Sequence, residues 1–86
     1  MKKTFVIRND EGLHARPATL LVKKANHYDS EIKITYDNFT TDLKSIMSVL
    51  SMGIKKGSLI EIEALGDDEV DAIKGLTEIM NHISLQ

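Results

Sequence analysis

A histidine and an arginine stand two residues apart in the run Gly12-Leu13-His14-Ala15-Arg16-Pro17-Ala18, and Pro17 opens a segment with helical spacing. Neutral imidazole is a nucleophile, and its ordinary pKa of about 6.5 leaves much of it neutral at physiological pH. A guanidinium is a planar fork of donors that fits phosphoryl oxygens. The start of a helix adds unpaired N–H groups and a partial positive charge, which favour an anion and disfavour an imidazolium. These residue types at this spacing describe a place where His14 accepts a phosphoryl group and Arg16 stabilises it. Pro17 has no N–H, so Arg16, Ala18 and Thr19 are the expected backbone donors to the phosphate. Gly12 allows the loop positive φ without strain. Asp10 and Glu11 crowd negative charge into the same loop. They read first as solvated loop residues; the alternative is that they tune His14 or its choice of partner.

A second candidate is Ser45, which directly precedes another helical segment. Its hydroxyl suits an N-cap, accepting a backbone N–H. Capping and phosphorylation are compatible there, because a helix N-terminus favours added negative charge. The segment from Ser45 to Met52 is apolar nearly all round, which is more than a helix covering one sheet requires. Val49 and Met52 can share its inner face, leaving Ile46, Met47 and Leu50 as an exposed patch for partners. Thr19, Leu20, Lys23 and Lys24 extend that surface past the histidine. His27 and His82 lie near helix C-termini and read as surface residues favourable to the helix dipole. Tyr28 and Tyr36 read as packing residues. No group of His, Asp and Glu has metal-ligand spacing and there is no Gly-rich nucleotide loop, so neither metal nor cofactor is expected.

The elements that must position these residues follow from periodicity. Thr4 to Arg8 is rich in β-formers and predicts a strand, which Asp10-Glu11-Gly12 breaks. From Ala15 to about His27, Ala18, Leu21, Val22 and Ala25 define one apolar helical face. Glu31 to Tyr36 alternates strictly and predicts a half-buried strand. Asp37-Asn38 fits a tight turn into a short return strand, Phe39 to Asp42. The helical segment from Ser45 to Met52 ends at Gly53, a suitable C-terminal residue. Leu59 to Ala64 alternates again. A last helix starts around Gly66-Asp67-Asp68-Glu69 and runs to about Ile83, with Ala72, Ile73, Leu76, Ile79, Met80 and Ile83 facing inward. Gly75 inside it costs about 1 kcal/mol relative to alanine, so packing must compensate. The order β-α-β-β-α-β-α, with strands that each need a cover, gives a two-layer α+β domain spanning residues 1–86.

Bulk properties narrow the function classes. The chain has 86 residues, 42% of them hydrophobic and 28% charged, as in ordinary globular domains. A formal net charge of −2 gives no reason to expect direct nucleic-acid binding. No apolar run approaches the roughly 20 residues that cross a bilayer, so no membrane insertion is expected. The opening Met1-Lys2-Lys3 lacks the long apolar stretch and cleavage site of a signal peptide. With no cysteine there is no disulfide or thiolate chemistry, and a cytoplasmic location is the default.

The run Gly12 to Ala18 resembles the active-site segment of HPr, the histidine-containing phosphocarriers of the bacterial sugar phosphotransferase system. Leu43-Lys44-Ser45-Ile46-Met47-Ser48-Val49-Leu50-Ser51-Met52-Gly53-Ile54 resembles the regulatory-serine region of HPr from low-GC Gram-positive bacteria. The likeness extends along essentially the whole chain. It implies a four-stranded antiparallel sheet covered on one face by helices, an open-faced sandwich. It implies phosphorylation of His14 at Nδ1 by enzyme I, using phosphoenolpyruvate, and transfer to enzyme IIA domains for sugar uptake. It also implies Ser45 as a target of HPr kinase/phosphorylase in carbon catabolite control, with a catabolite-control transcription factor as a further partner. Such a protein is a phosphoryl carrier rather than an independent turnover enzyme. Two residues depart from the Gram-positive pattern: Ser48 stands where many members have glycine, and Asp42 where many have asparagine. Asp42 puts negative charge close to Ser45 and opposes a second one there.

Two other readings compete. One is a regulatory interaction protein similar to the HPr-like corepressors, which keep the serine and lack the active histidine; the presence of His14 argues against that as the sole role. The other is a small phosphate-handling enzyme, which needs an activated water or a second acid or base near Arg16, and the sequence offers no clear candidate.

Overall fold

The computed structural model describes residues 1–84. Seven elements follow one another: β1 (Lys2–Val6), α1 (Ala15–Ala25), β2 (Glu31–Tyr36), β3 (Phe39–Asp42), α2 (Ile46–Ser51), β4 (Leu59–Leu65) and α3 (Glu69–Ile83). The strands form one four-stranded sheet in the order β1-β4-β2-β3, every neighbouring pair antiparallel. Element order, sheet and helix placement are those of the expected open-faced sandwich.

Strict alternation splits the sheet into two faces. Ile32 and Ile34 of β2 and Ile60, Ile62 and Ala64 of β4 are buried beneath the helices. From α1 come Ala18, Leu21, Val22 and Ala25, and from α3 Ala72, Ile73, Leu76, Met80 and Ile83. Each fully buried Ile or Leu contributes about 1.5–3 kcal/mol, so the covered face holds the layers together. Val49 of α2 and Leu43, just after β3, close the core at one edge. The other face is mostly polar, with Val6, Leu59 and Leu65 exposed on it. Its register aligns Lys2, Glu63, Lys33 and Asp42 in one row across all four strands, with alternating charge. Opposite charges directly across strands are favourable, and a face of this kind is content in water.

Local chemistry sets the junctions. Asp37 and Asn38 adopt φ of 51° and 69°, the conformation a two-residue hairpin needs, and their side chains tolerate it better than most. Gly75 is where α3 passes α1: a Cβ there would run into the Tyr28 hydroxyl and lie 2.9 Å from Lys24 Cε. Close packing of Tyr28 is therefore the compensation for a glycine inside a helix. At the start of α3, Asp68 occupies the N-cap position but makes no cap bond with its side chain. Its carboxylate turns outward instead, accepting from the N–H groups of Asp29 (2.8 Å) and Ser30 (2.9 Å) and from the Ser30 hydroxyl. One side chain thereby clasps the loop before β2 to the loop before α3.

Several boundaries differ from the sequence expectation. The first strand lies two residues earlier, because its ladder with β4 starts at Lys2 and Glu63 and the chain has turned away by Arg8. Helix α1 stops at Ala25 rather than near His27: the Asn26 side chain donates to Val22 O at 2.9 Å, and the N–H of His27 bonds to Lys24 O in a tighter turn. Ser45 caps α2 from outside, and Gly53 at φ 61° follows its end. Ile79 is only partly buried, resting against the core rather than within it.

Candidate active site

The chain leaves β1 at Ile7, whose N–H donates to Ser58 O (2.9 Å) and whose carbonyl accepts from Gly57 (2.7 Å). The loop that follows is pinned from two sides. Asn9 is buried; its carbonyl accepts the Gly12 N–H at 3.0 Å while its side-chain amide donates to Gly12 O. Asn9 Oδ1 is buried and meets no donor among the described residues. Leu13 is buried, and its N–H donates to Ile54 O at 3.0 Å. Gly12 has φ of 69°, and a Cβ on it would be driven into the Ile54 carbonyl. This position needs glycine for both conformation and space.

The pinned loop delivers His14 in extended conformation (φ −79°, ψ −170°) as the N-cap residue of α1. Its side chain makes no cap hydrogen bond and is 42% exposed. His14 Nε2 lies 3.3 Å from Glu11 Oε2. Arg16, exposed in the first turn, borders the same open hollow of about 320 Å³, together with Asn9, Asp10, Glu11 and His14. Asp10 accepts from Lys56 Nζ at 2.7 Å; that hydrogen bond and the ammonium charge hold its carboxyl below the usual range.

One part of the expected phosphate cradle is corrected. The N–H of Ala18 donates to His14 O at 3.0 Å, so it closes the first helical bond instead of facing the hollow. Thr19 sits one step further in, where helical geometry directs its amide to Ala15 O; its hydroxyl already donates to that oxygen at 2.6 Å. The first-turn amides with no intrahelical acceptor are those of Ala15 and Arg16. Of the three expected donors, Arg16 alone keeps that position.

Ser45 is not brought into this hollow. It caps α2, its Oγ accepting from the Ser48 N–H at 3.3 Å. The Asn26 side chain, just past the C-terminal end of α1, donates to Lys44 O at 3.1 Å, which places Ser45 beside the end of α1 remote from His14. Asp42 accepts from the Lys44 N–H at 2.9 Å and so already shapes the approach to Ser45. Of the expected patch, Met47 (74%) and Leu50 (36%) are exposed. Ile46 is not: it is half-buried and packs against the core alongside Met52. Thr19 is exposed and Leu20 half-buried on the neighbouring α1.

Asn9 is the site residue that sequence reasoning passed over. The usable signal was the habit of Asn to hydrogen-bond nearby backbone in loops. A larger groove of about 550 Å³ runs beside β2 and β3, lined by Asp29, Lys33, Thr40, Asp42 and Lys44 among others, and contains neither His14 nor Arg16. Among the described residues no group of His, Asp and Glu could hold a metal ion, and no helix is long and apolar enough to cross a membrane.

Comparison with known proteins agrees with this geometry. The family model described as the PTS HPr component phosphorylation site matches residues 1–82. A histidine-containing phosphocarrier protein from Mycoplasma is 40% identical, with a TM-score of 0.95 over 99% of this chain and 97% of its own. An HPr from Thermoanaerobacter tengcongensis is 38% identical, with a TM-score of 0.93 over 100% and 97%. The Bacillus subtilis catabolite repression protein Crh, described as a swapped dimer, is 33% identical, with a TM-score of 0.75 over 95% and 94%. A loop that presents an exposed histidine at a helix start, in a chain matched from end to end by these proteins, places the protein in the HPr family of phosphocarriers of the phosphotransferase system.

Proposed function

We propose that His14 is the phosphoryl acceptor, taking the group from phosphoenolpyruvate by way of enzyme I and passing it to enzyme IIA domains that serve sugar uptake. The observation that carries this is the placement of His14: exposed, at the start of α1, with its side chain unused in capping and Arg16 on the same hollow. Nδ1 attacks phosphorus, the ring carries the group, and the guanidinium of Arg16 meets the phosphoryl oxygens during transfer. The amides of Ala15 and Arg16 and the helix dipole favour the added negative charge. Phosphoenolpyruvate and ATP are bound by the partners, and the chain acts in the cytoplasm as a carrier. Partners dock on the surface formed by Thr19, Leu20, Met47 and Leu50, with Ile46 supporting it from beneath.

Ser45 adds a regulatory reading, in which HPr kinase/phosphorylase modifies it and a catabolite-control transcription factor recognises the product. What supports this is its place at the N-cap of α2, where a phosphate needs little refolding, and the likeness to Crh. The nearby Asp42 carboxylate opposes the new charge and lowers the efficiency of that modification.

The test is intact mass after incubation with enzyme I, magnesium and phosphoenolpyruvate, with a His14→Ala control. An acid-labile shift of one phosphate, absent from the control, is expected. No shift with an enzyme I proven active on another HPr would leave the Ser45 reading in its place.

A further inference from the structure

We infer that the open face of the sheet, the side away from the helices, pairs with the same face of a second copy of this chain about a two-fold axis parallel to the strands.

The register comes first. The row Lys2, Glu63, Lys33, Asp42 crosses the strands in the order β1-β4-β2-β3, so its charges read plus, minus, plus, minus. An alternating row over an even number of strands is its own complement. A two-fold axis along the strands, midway between β4 and β2, keeps each residue at its level and reverses the strand order. Lys2 then faces the partner's Asp42, Glu63 faces the partner's Lys33, and each contact occurs twice. The row is not used up within one copy. Lys2 Nζ lies 3.7 Å from Glu63, but Lys33 turns along its own strand to Glu31 at 3.3 Å. Asp42 accepts from the Lys44 N–H and, among the described residues, forms no ion pair.

Apolar surface gathers on the same axis. Leu59 (61% exposed) and Leu65 (49%) stand at the two ends of β4 on the open face. β4 borders the axis, so each leucine lies one strand spacing, about 4.8 Å, to the side of its counterpart on the facing sheet. Val6 pairs with Leu59 and widens the patch at that end. Facing strands stay aligned, as in sheet-on-sheet packing. The formal net charge of −2 leaves little overall repulsion between copies. One residue opposes the pairing: Glu61 faces the partner's Thr35, lies diagonal to the partner's Glu61 and has no cation at its level.

Four strands about 4.8 Å apart and about 20 Å long offer about 400 Å² of face per copy, roughly half of what a stable complex buries on each side. The pair therefore forms at high protein concentration and low salt and comes apart on dilution. α1 and α2, with His14 and Ser45 at their starts, lie on its outer sides, open to other proteins.

The experiment is sedimentation from about 10 µM to about 1 mM, in low and high salt, of wild type, Glu63→Lys, Lys33→Glu, an equal mixture of those two variants, and Glu61→Gln. Wild type should move from monomer toward dimer in low salt and lose the dimer in high salt. Each charge reversal sets like charges opposite one another at two places, so each variant alone should associate about tenfold more weakly. In the mixture every reversed site faces its opposite, and association should return to the wild-type level. Glu61→Gln should associate more tightly than wild type. Amide 15N shifts of wild type should move on dilution in β4 and β2 and hold still in α1 and α3, a readout that needs no variant to fold. A wild-type monomer at about 1 mM in low salt would overturn the inference. So would a dimer that both reversals leave intact, two weakened variants whose mixture does not recover, or dilution shifts confined to the helices.

Discussion

Around His14, what matters is which atoms are already engaged and which are not. The backbone of residues 9 to 13 is fixed by Asn9, Gly12 and Ile54, whereas the side chains of His14 and Arg16 project into water. On the proposed reading, binding energy for the phosphoryl group comes from groups that cost little to reorient, and Arg16 borders the same hollow as His14. Replacing Arg16 with lysine keeps the charge and removes the fork. Phosphoryl transfer should fall about tenfold with little change in thermal midpoint, because the residue is exposed; stopped-flow transfer and a melting curve check both halves. That His14 and Arg16 meet on one hollow at the start of α1 was legible, because their spacing puts both at the first turn. The amide donors were not, since they depend on where the first helical bond closes, and it closes from Ala18 onto His14 O. Ile46 shows the same limit: on a short helix that is apolar all round, periodicity does not say which residue tilts toward the core.

Elements are held in place at a few close approaches. One of these is where Gly75 of α3 passes Lys24 of α1 and Tyr28 just beyond it. Helix propensity alone would make Gly75→Ala stabilising by about 1 kcal/mol. Packing opposes that gain: the added methyl meets the Tyr28 hydroxyl and Lys24 Cε, side-chain ends that turn aside at modest cost, so urea unfolding should show Gly75→Ala within about 1 kcal/mol of wild type and short of the full gain. The gain should be recovered in a Tyr28→Phe background, where the nearest obstructing atom is gone. The need for compensation at Gly75 was visible in the sequence, but the identity of the partner, 47 positions away in the chain, was not. Strand cores were readable because alternation is strict in β2 and β4. Strand and helix ends moved by about two residues, as at β1 and α1, because local hydrogen bonds such as those of Asn26 decide them.

For the molecule as a whole, the carboxylates set stability in acid. The Ser30 hydroxyl first, and the Asp29 and Ser30 backbone amides with it, lower the pKa of Asp68 from its usual 3.8. A depressed folded-state pKa means that its contribution is complete above the unfolded value and is lost as pH falls through the lower folded one. Asp68→Asn should therefore flatten part of the decline in urea midpoint below about pH 4. Asp10 with Lys56 and Glu69 with the Met1 ammonium are lowered in the same direction. A parallel pH titration of both proteins reads this directly; identical slopes would show that the clasp adds no acid-sensitive stability. The clasp and the His14 loop sit at opposite ends of the sheet, since β4 begins beside Ile7 and ends beside Met1 and Ser30. The 11 residues of α1, about 16 Å of helix, run between them. The Ser30–Asp68 clasp can thus be altered far from His14, whereas the Asp10–Lys56 pair ties part of the acid stability to the histidine end itself, because Asp10 borders the same hollow as His14.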